Sequence, residues 1–79
     1  MPDINLPVAR GGYHGLYIEL KVGKNKTTEK QNTWIAKLRQ QGYHVSVCYG
    51  WEEARETIEN YLDEKIRRKD GNYENNLLY

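Results

Sequence analysis

The sequence predicts a small α/β domain with a mixed sheet and the element order strand, strand, helix, strand, helix. Three observations lead to this prediction. The chain has 79 residues, which suits one domain. Residues 13–22 alternate apolar and polar side chains with the period of a strand. Residues 28–41 and 51–67 repeat apolar side chains with the period of a helix, and such alternation favours helices packed on a sheet.

The first two strands are expected to form an antiparallel hairpin. Residues 3–10 are typical of a short extended segment, and Gly11–Gly12 of a turn. Pro7 cannot donate to a ladder and therefore belongs at an edge or a bulge. The second strand has an apolar face that meets a core, formed by Leu16, Ile18, Leu20 and Val22. Its opposite face presents Tyr17, Glu19 and Lys21, because side chains alternate along a strand.

The first helix has recognisable ends. Thr28 fits an N-cap and Gln31 the reciprocal position of a capping box, while Gly42 fits the residue after the helix. Its apolar stripe is Trp34, Ile35 and Leu38. A parallel crossover then leads to a strand over 43–49 with Val45 and Val47 on its apolar side. The second helix, 51–67, has an apolar face of Ala54, Ile58, Tyr61 and Leu62.

The composition limits the cysteine chemistry and the cellular location expected for this chain. Cys48 is the sole cysteine, so no internal disulfide is possible, and we expect it to be a small buried hydrophobe. The two histidines and one cysteine do not have a zinc spacing. No apolar run is long enough to span a bilayer, and no signal peptide is evident. We therefore expect a cytoplasmic chain that gains burial by forming an oligomer.

Charge is segregated although the net charge is only +1. Residues 9–41 are mainly basic and residues 51–64 mainly acidic. A basic half of this kind suits a polyanion such as nucleic acid, and the alternative is a solvated surface of helix and loop. The expected phosphate contacts flank the second strand in sequence: Arg10, Lys24, Lys26 and Lys30.

Glu19 and Lys21 are the residues most suggestive of chemistry. They lie two apart on one strand and emerge on one face. A regular two-residue turn places Asp3 opposite Leu20, on the wrong face, whereas a bulge or an odd loop brings Asp3 to theirs. Two carboxylates and a backbone carbonyl would then suit Mg²⁺ or Mn²⁺. The alternative is a simple ion pair on a half-exposed strand.

An ordered set of motifs resembles the VRR-NUC family (virus-type replication-repair nucleases) of the PD-(D/E)xK superfamily. The set is Pro2-Asp3-Ile4-Asn5-Leu6, the glycine-rich turn, Gly15 to Lys21 with its Glu-x-Lys, Thr28 to Gln31 with Trp34, and Gly42-Tyr43 before Val45-Ser46-Val47-Cys48. The resemblance spans roughly residues 2–62 and is greatest with the compact, stand-alone phage and prophage type. It implies a restriction-endonuclease-like fold over 1–67, followed by a polar tail over 68–79. It also implies that the family's N-terminal helix is absent, since Met1 precedes Pro2.

The resemblance also implies residue roles. Asp3 and Glu19 would bind the divalent metal together with the carbonyl of Leu20, Lys21 would be the catalytic lysine, and Gln31 would shape the site. It implies a homodimer that cuts branched DNA such as a Holliday junction. The expected function is thus a metal-dependent DNA endonuclease. The alternatives are a nonspecific or nicking nuclease and an inactive nuclease-like binding module. Trp34 and Trp51 are expected in the core or at a dimer contact.

Overall fold

The structure, a computed structural model, describes residues 2–68. The predicted tail, 68–79, lies outside this range except for Arg68. The five elements are β1 (Ile4–Leu6), β2 (Leu16–Lys21), α1 (Glu29–Gln40), β3 (His44–Tyr49) and α2 (Trp51–Leu62). The sheet has the order β1-β2-β3, with β1 antiparallel and β3 parallel to β2. The predicted α/β class, element order and mixed sheet are confirmed.

The hairpin contains an irregularity of the kind predicted for Asp3 to share a face with Glu19 and Lys21. At its tip, Arg10 pairs with Tyr13, whereas in the strands Leu6 pairs with Leu16. Residues 7–9 separate these pairs on the first arm and residues 14–15 on the second, so the first arm holds one extra residue. A tight turn across Pro7, in which the Val8 N–H donates to the Leu6 carbonyl at 2.9 Å, takes up the extra residue. The paired register ends at Ile4 and Ile18, and the Asp3 N–H donates to the Ile18 carbonyl at 3.0 Å, so the chain departs from regular pairing at Asp3.

The two helices cover opposite faces of the sheet. On one face α2 packs against the apolar side of β2, and the core there consists of Leu16, Ile18, Cys48, Ala54 and Tyr61. The Tyr61 hydroxyl donates to the Val8 carbonyl at 2.6 Å and so ties α2 to the hairpin. On the other face α1 packs against β3 and buries Ile35. The predicted burial of Cys48 is confirmed.

The ends of α1 follow local rules. Thr28 Oγ1 accepts the Gln31 N–H and the Gln31 side chain accepts the Thr28 N–H, which confirms the capping box. Gly42 has a φ of 91°, and the Tyr43 N–H donates to the Leu38 carbonyl in a Schellman motif. This closure turns the chain directly into β3.

The predicted extent of α2 is wrong. The helix ends at Leu62 because Glu64 adopts a left-handed conformation, with a φ of 60°. The Lys65 N–H then donates to the Asn60 carbonyl, which completes a Schellman motif without glycine. No residue preference in the sequence marks such an end, so the helical period predicted a helix that continues past Leu62.

Three side chains predicted to be apolar contacts are exposed to different degrees. Val22 follows the end of β2 and is 73% exposed, so it does not extend the buried face. Trp51, the first residue of α2, is 62% exposed and lies outside the core. Leu62 is 39% exposed at the end of the same helix. Trp34 by contrast is half-buried and lines an apolar cavity of about 160 Å³ with Pro2, Tyr17 and Leu38.

Candidate active site

Four elements bring polar side chains to one end of the sheet. Strands β2 and β3 are parallel and both end there, while β1, being antiparallel, begins there. The N-terminus of α1 returns to the same end through the loop after β2. Strand register and helix capping thus converge on the face of β2 that carries Glu19 and Lys21.

Glu19 is the buried polar residue at the centre of this end. It is only 6% exposed, although a carboxylate is costly to bury without partners. Its Oε2 accepts a hydrogen bond from Gln31 Nε2 at 3.0 Å and lies 3.5 Å from Lys21 Nζ. Its Oε1 is buried and has no hydrogen-bond partner among residues 2–68. The ion pair expected from a plain strand is present, but it is buried and leaves one carboxylate oxygen unused.

Gln31 joins the two charged groups. Its Oε1 accepts from Lys21 Nζ at 2.9 Å and from the Thr28 N–H at 3.0 Å, and its amide nitrogen donates to Glu19. The two roles considered for Gln31, helix capping and shaping the site, are therefore filled by one amide. The capping box fixes this side chain, which in turn fixes the lysine amine and the glutamate carboxylate.

Asp3 reaches the same end of the sheet through a backbone contact. Its Oδ2 accepts the Leu20 N–H at 2.7 Å. The N–H and carbonyl of one strand residue point to the same side, so the Leu20 carbonyl also faces the start of β1. Pro2, the residue before Asp3, has no N–H that it could donate to this carbonyl. The Leu20 carbonyl consequently gains no donor from that position.

These oxygen atoms form a donor set that fits a hard divalent cation. The described residues contain no cluster of three or more His, Cys, Asp or Glu side chains. The fit therefore rests on the Asp3 carboxylate, the unpartnered Glu19 Oε1 and the Leu20 carbonyl. All three are oxygen ligands, as Mg²⁺ and Mn²⁺ prefer, and a buried oxygen without a partner gains most from a cation.

The structure separates the four basic residues that sequence proximity had grouped. Lys24 and Lys26 lie in the loop after β2, and Lys30 lies in the first turn of α1, so all three flank the site, and all are exposed. Arg10 lies at the hairpin tip, at the opposite end of the sheet. Its bridge partner Tyr13 precedes Lys21 by eight residues, which at strand rise puts Arg10 roughly 25 Å from Lys21. The structure does not bring Arg10 to the site.

Tyr49 is a neighbour of the site that sequence reasoning missed. It is the register partner of Lys21 in the parallel pair, so its side chain lies on the same face of the sheet. Parallel register across a helical crossover has no signature in sequence, and only the following Gly50 marks where the strand stops.

The groups with a shifted pKa lie on the other face. Burial, and then the charge of Arg39, lower the pKa of His44 from its ordinary value of 6.5. Burial likewise raises the pKa of Tyr61 above its ordinary value. The rings of His44, on β3, and Tyr61, on α2, are stacked with their centroids 6.4 Å apart. These shifts therefore belong to the core and not to the site residues Asp3, Glu19, Leu20, Lys21 and Gln31, which we call the polar cluster.

Comparison with known proteins gives a family match. The family model described as the VRR-NUC domain matches residues 1–52. This stretch contains β1 to β3 and every residue of the polar cluster. No curated protein and no solved structure matches the chain. Neither helix within residues 2–68 is long and apolar enough to cross a membrane.

Proposed function

Because the chain belongs to the VRR-NUC family of PD-(D/E)xK-type nucleases, we propose that it is a DNA endonuclease that hydrolyses phosphodiester bonds with Mg²⁺ or Mn²⁺. One observation carries this proposal. The buried Glu19 holds one oxygen against Gln31 and Lys21 and leaves Oε1 without a partner among the described residues. A merely structural ion pair has no need for a buried carboxylate oxygen without a partner.

The residues that would hold the cation are Asp3, Glu19 and, through its carbonyl, Leu20. When bound, a divalent cation lowers the pKa of a water molecule and offsets charge on a phosphate oxygen. The oxygen chemistry of this set favours Mg²⁺ or Mn²⁺ over zinc.

Lys21 and Gln31 supply the chain's own part of the chemistry. The Lys21 side chain is 13% exposed, and its amine is held by Gln31 Oε1 and Glu19 Oε2, so the position of the amine is fixed before DNA arrives. A fixed amine at this point can orient the attacking water or stabilise the charge that develops on the phosphate. Gln31 positions both charged groups without itself changing protonation state.

The finer substrate and assembly are also proposals. We propose that the active form is a homodimer acting in the cytoplasm on branched DNA such as a four-way junction. The small core of a chain of 79 residues supports self-association, and a two-fold axis would present two sites to a symmetric junction. Exposed Lys24, Lys26 and Lys30 beside the cluster would contact phosphates.

Cleavage of a substrate panel tests the proposal. Junction, flap, nicked and linear DNA are incubated with Mg²⁺, with Mn²⁺ or with a chelator, and products are separated on denaturing gels. We expect metal-dependent cleavage with preference for the junction. Lys21→Ala should abolish cleavage and keep most DNA binding, while Lys37→Ala, an exposed lysine near the other end of α1, should cleave normally.

Each other outcome has a definite meaning. Equal cleavage of all substrates indicates a nonspecific nuclease, and single-strand breaks alone indicate a nicking enzyme. Binding without any metal-dependent cleavage by the wild type would show an inactive binding module and would contradict the proposal.

A further inference from the structure

Exposed apolar side chains are concentrated at the end of the sheet where the polar cluster lies. Within residues 2–68, four large apolar side chains are exposed: Val22, Tyr49, Trp51 and Leu62. Three of the four follow or end the parallel strands. Val22 comes after Lys21, and Tyr49 and Trp51 are the last residue of β3 and the first of α2. We call Val22, Tyr49 and Trp51 the apolar rim.

The rim is continuous with the candidate site. Tyr49 is the register partner of Lys21 and shares its face, so the backbones of the two residues lie about one strand spacing, some 4.8 Å, apart. The Tyr49 N–H donates to Glu53 Oε1 at 2.9 Å, which fixes the strand end against α2. Gly50, with a φ of 97°, then turns the chain so that Trp51 follows immediately. The rim is therefore held by backbone contacts and does not depend on a ligand for its position.

Charge near the rim decides which part of a nucleotide fits there. Glu52 and Glu53 follow Trp51 directly, and carboxylates repel phosphates. Lys24 and Lys26 lie on the other side of Val22 and attract them. A DNA strand with its phosphates on the lysine loop would present uncharged bases toward Tyr49 and Trp51. Aromatic rings bind such bases by stacking, without regard to sequence.

We propose, on the basis of the nuclease function above, that the apolar rim stacks on unpaired bases next to the scissile phosphate. Bases inside an intact duplex have no free ring face, whereas bases at a junction, flap or loop do. The rim would thus be the specificity-determining surface for distorted DNA, separate from the groups that cleave it.

Binding by matched variants tests the rim. Two DNA duplexes of equal length are compared, one fully paired and one with a central loop of unpaired thymines. The full chain carries Glu19→Gln in every case so that the DNA stays intact. Trp51→Ala and Tyr49→Ala should each weaken binding to the looped duplex at least about fivefold and leave binding to the paired duplex unchanged. Tyr49→Phe should bind like the parent, since the ring remains.

Leu62→Ala is the matched control, because Leu62 is exposed but lies at the far end of α2. It should leave both affinities unchanged. Equal losses for both duplexes, or no loss, would overturn the proposal. So would a Trp51→Ala protein that loses self-association in sedimentation while its DNA preference is intact, since the rim would then be a contact between copies. Failure of the nuclease proposal is separate: it appears as absent cleavage by the wild type, whatever the rim variants do.

Discussion

At the scale of single residues, the account depends on how one amide and one carboxylate share their hydrogen bonds. Gln31 satisfies Lys21, Glu19 and its own helix terminus at once, so no smaller or apolar residue could replace it. Pro2 and Asp3 complement this arrangement at the start of β1. The proline withholds a donor from Leu20, and the aspartate accepts the Leu20 N–H instead.

Gln31→Ala should harm both folding and cleavage. Loss of the amide leaves the Glu19 carboxylate buried beside Lys21 with fewer partners, which should lower the free energy of unfolding by roughly 1–3 kcal/mol. Cleavage should slow at least about tenfold under conditions in which the protein remains folded. Urea denaturation and single-turnover cleavage measure the two effects. Gln40→Ala, an exposed glutamine on the same helix, is the control, and equal behaviour of the two variants would remove Gln31 from the site.

His44 should make the fold sensitive to acid. Its pKa is lowered in the folded state, so the unfolded chain takes up a proton more readily as pH falls through 6.5. The contribution of His44 to stability is therefore full above pH 6.5 and is lost as pH falls toward its lowered folded value. Urea denaturation at about pH 8 and about pH 5 should show a smaller acid-induced loss for His44→Gln than for the wild type. The same loss in both proteins would refute this assignment.

At the scale of elements, the sequence predicted what is decided by local contacts. Alternation along β2, the capping box at Thr28 and the turn at Gly42 each depend on neighbouring residues, and each is confirmed. The end of α2 was missed because Glu64 adopts a left-handed conformation without the glycine that usually marks it. The exposure of Val22 was missed for a related reason, since the strand stops one residue before the alternating pattern does.

The helix end offers a test in which two similar substitutions have opposite signs. Glu64→Gly should raise the free energy of unfolding by roughly 0.5–1 kcal/mol, because glycine adopts a positive φ without steric cost. Glu59→Gly, also exposed but inside α2, should lower it by about 1 kcal/mol. Chemical denaturation monitored by circular dichroism measures both. A destabilising Glu64→Gly would mean that α2 continues through this position.

At the scale of the whole molecule, the topology brings together residues that are distant in sequence and separates residues that are close in sequence. Arg10 is close to the second strand in sequence, but the antiparallel hairpin places it at the end of the sheet opposite the candidate site. The turn at Pro7 takes up an extra residue and so shifts the register of the first arm, and the Asp3 carboxylate accepts the N–H of Leu20, the residue after Glu19. Charge is divided between the two helices, since α1 has three basic side chains and one acidic, whereas α2 has four acidic and one basic. DNA should therefore approach on the α1 face.

DNA length should distinguish the two basic regions. Lys24→Ala should weaken binding and reduce the salt dependence by about one charge for any duplex that covers the site. Arg10→Ala should have an effect only when the duplex extends about seven base pairs beyond the site, since base pairs stack about 3.4 Å apart and Arg10 is roughly 25 Å away. Affinities across a salt series for short and long duplexes give both slopes. An equal effect of Arg10→Ala on the shortest duplex would contradict this placement.

Calorimetric titration of the full chain with Mn²⁺ most directly tests the central claim that Asp3 and Glu19 hold a divalent cation. The wild type should bind one Mn²⁺ per chain, and Glu19→Gln and Asp3→Asn should each weaken that binding at least about tenfold, since each removes a charged oxygen ligand. Glu29→Gln, an exposed carboxylate in the first turn of α1, should bind like the wild type. Mn²⁺ binding that is undiminished in folded Glu19→Gln and Asp3→Asn proteins, or absent from the wild type, would contradict the claim.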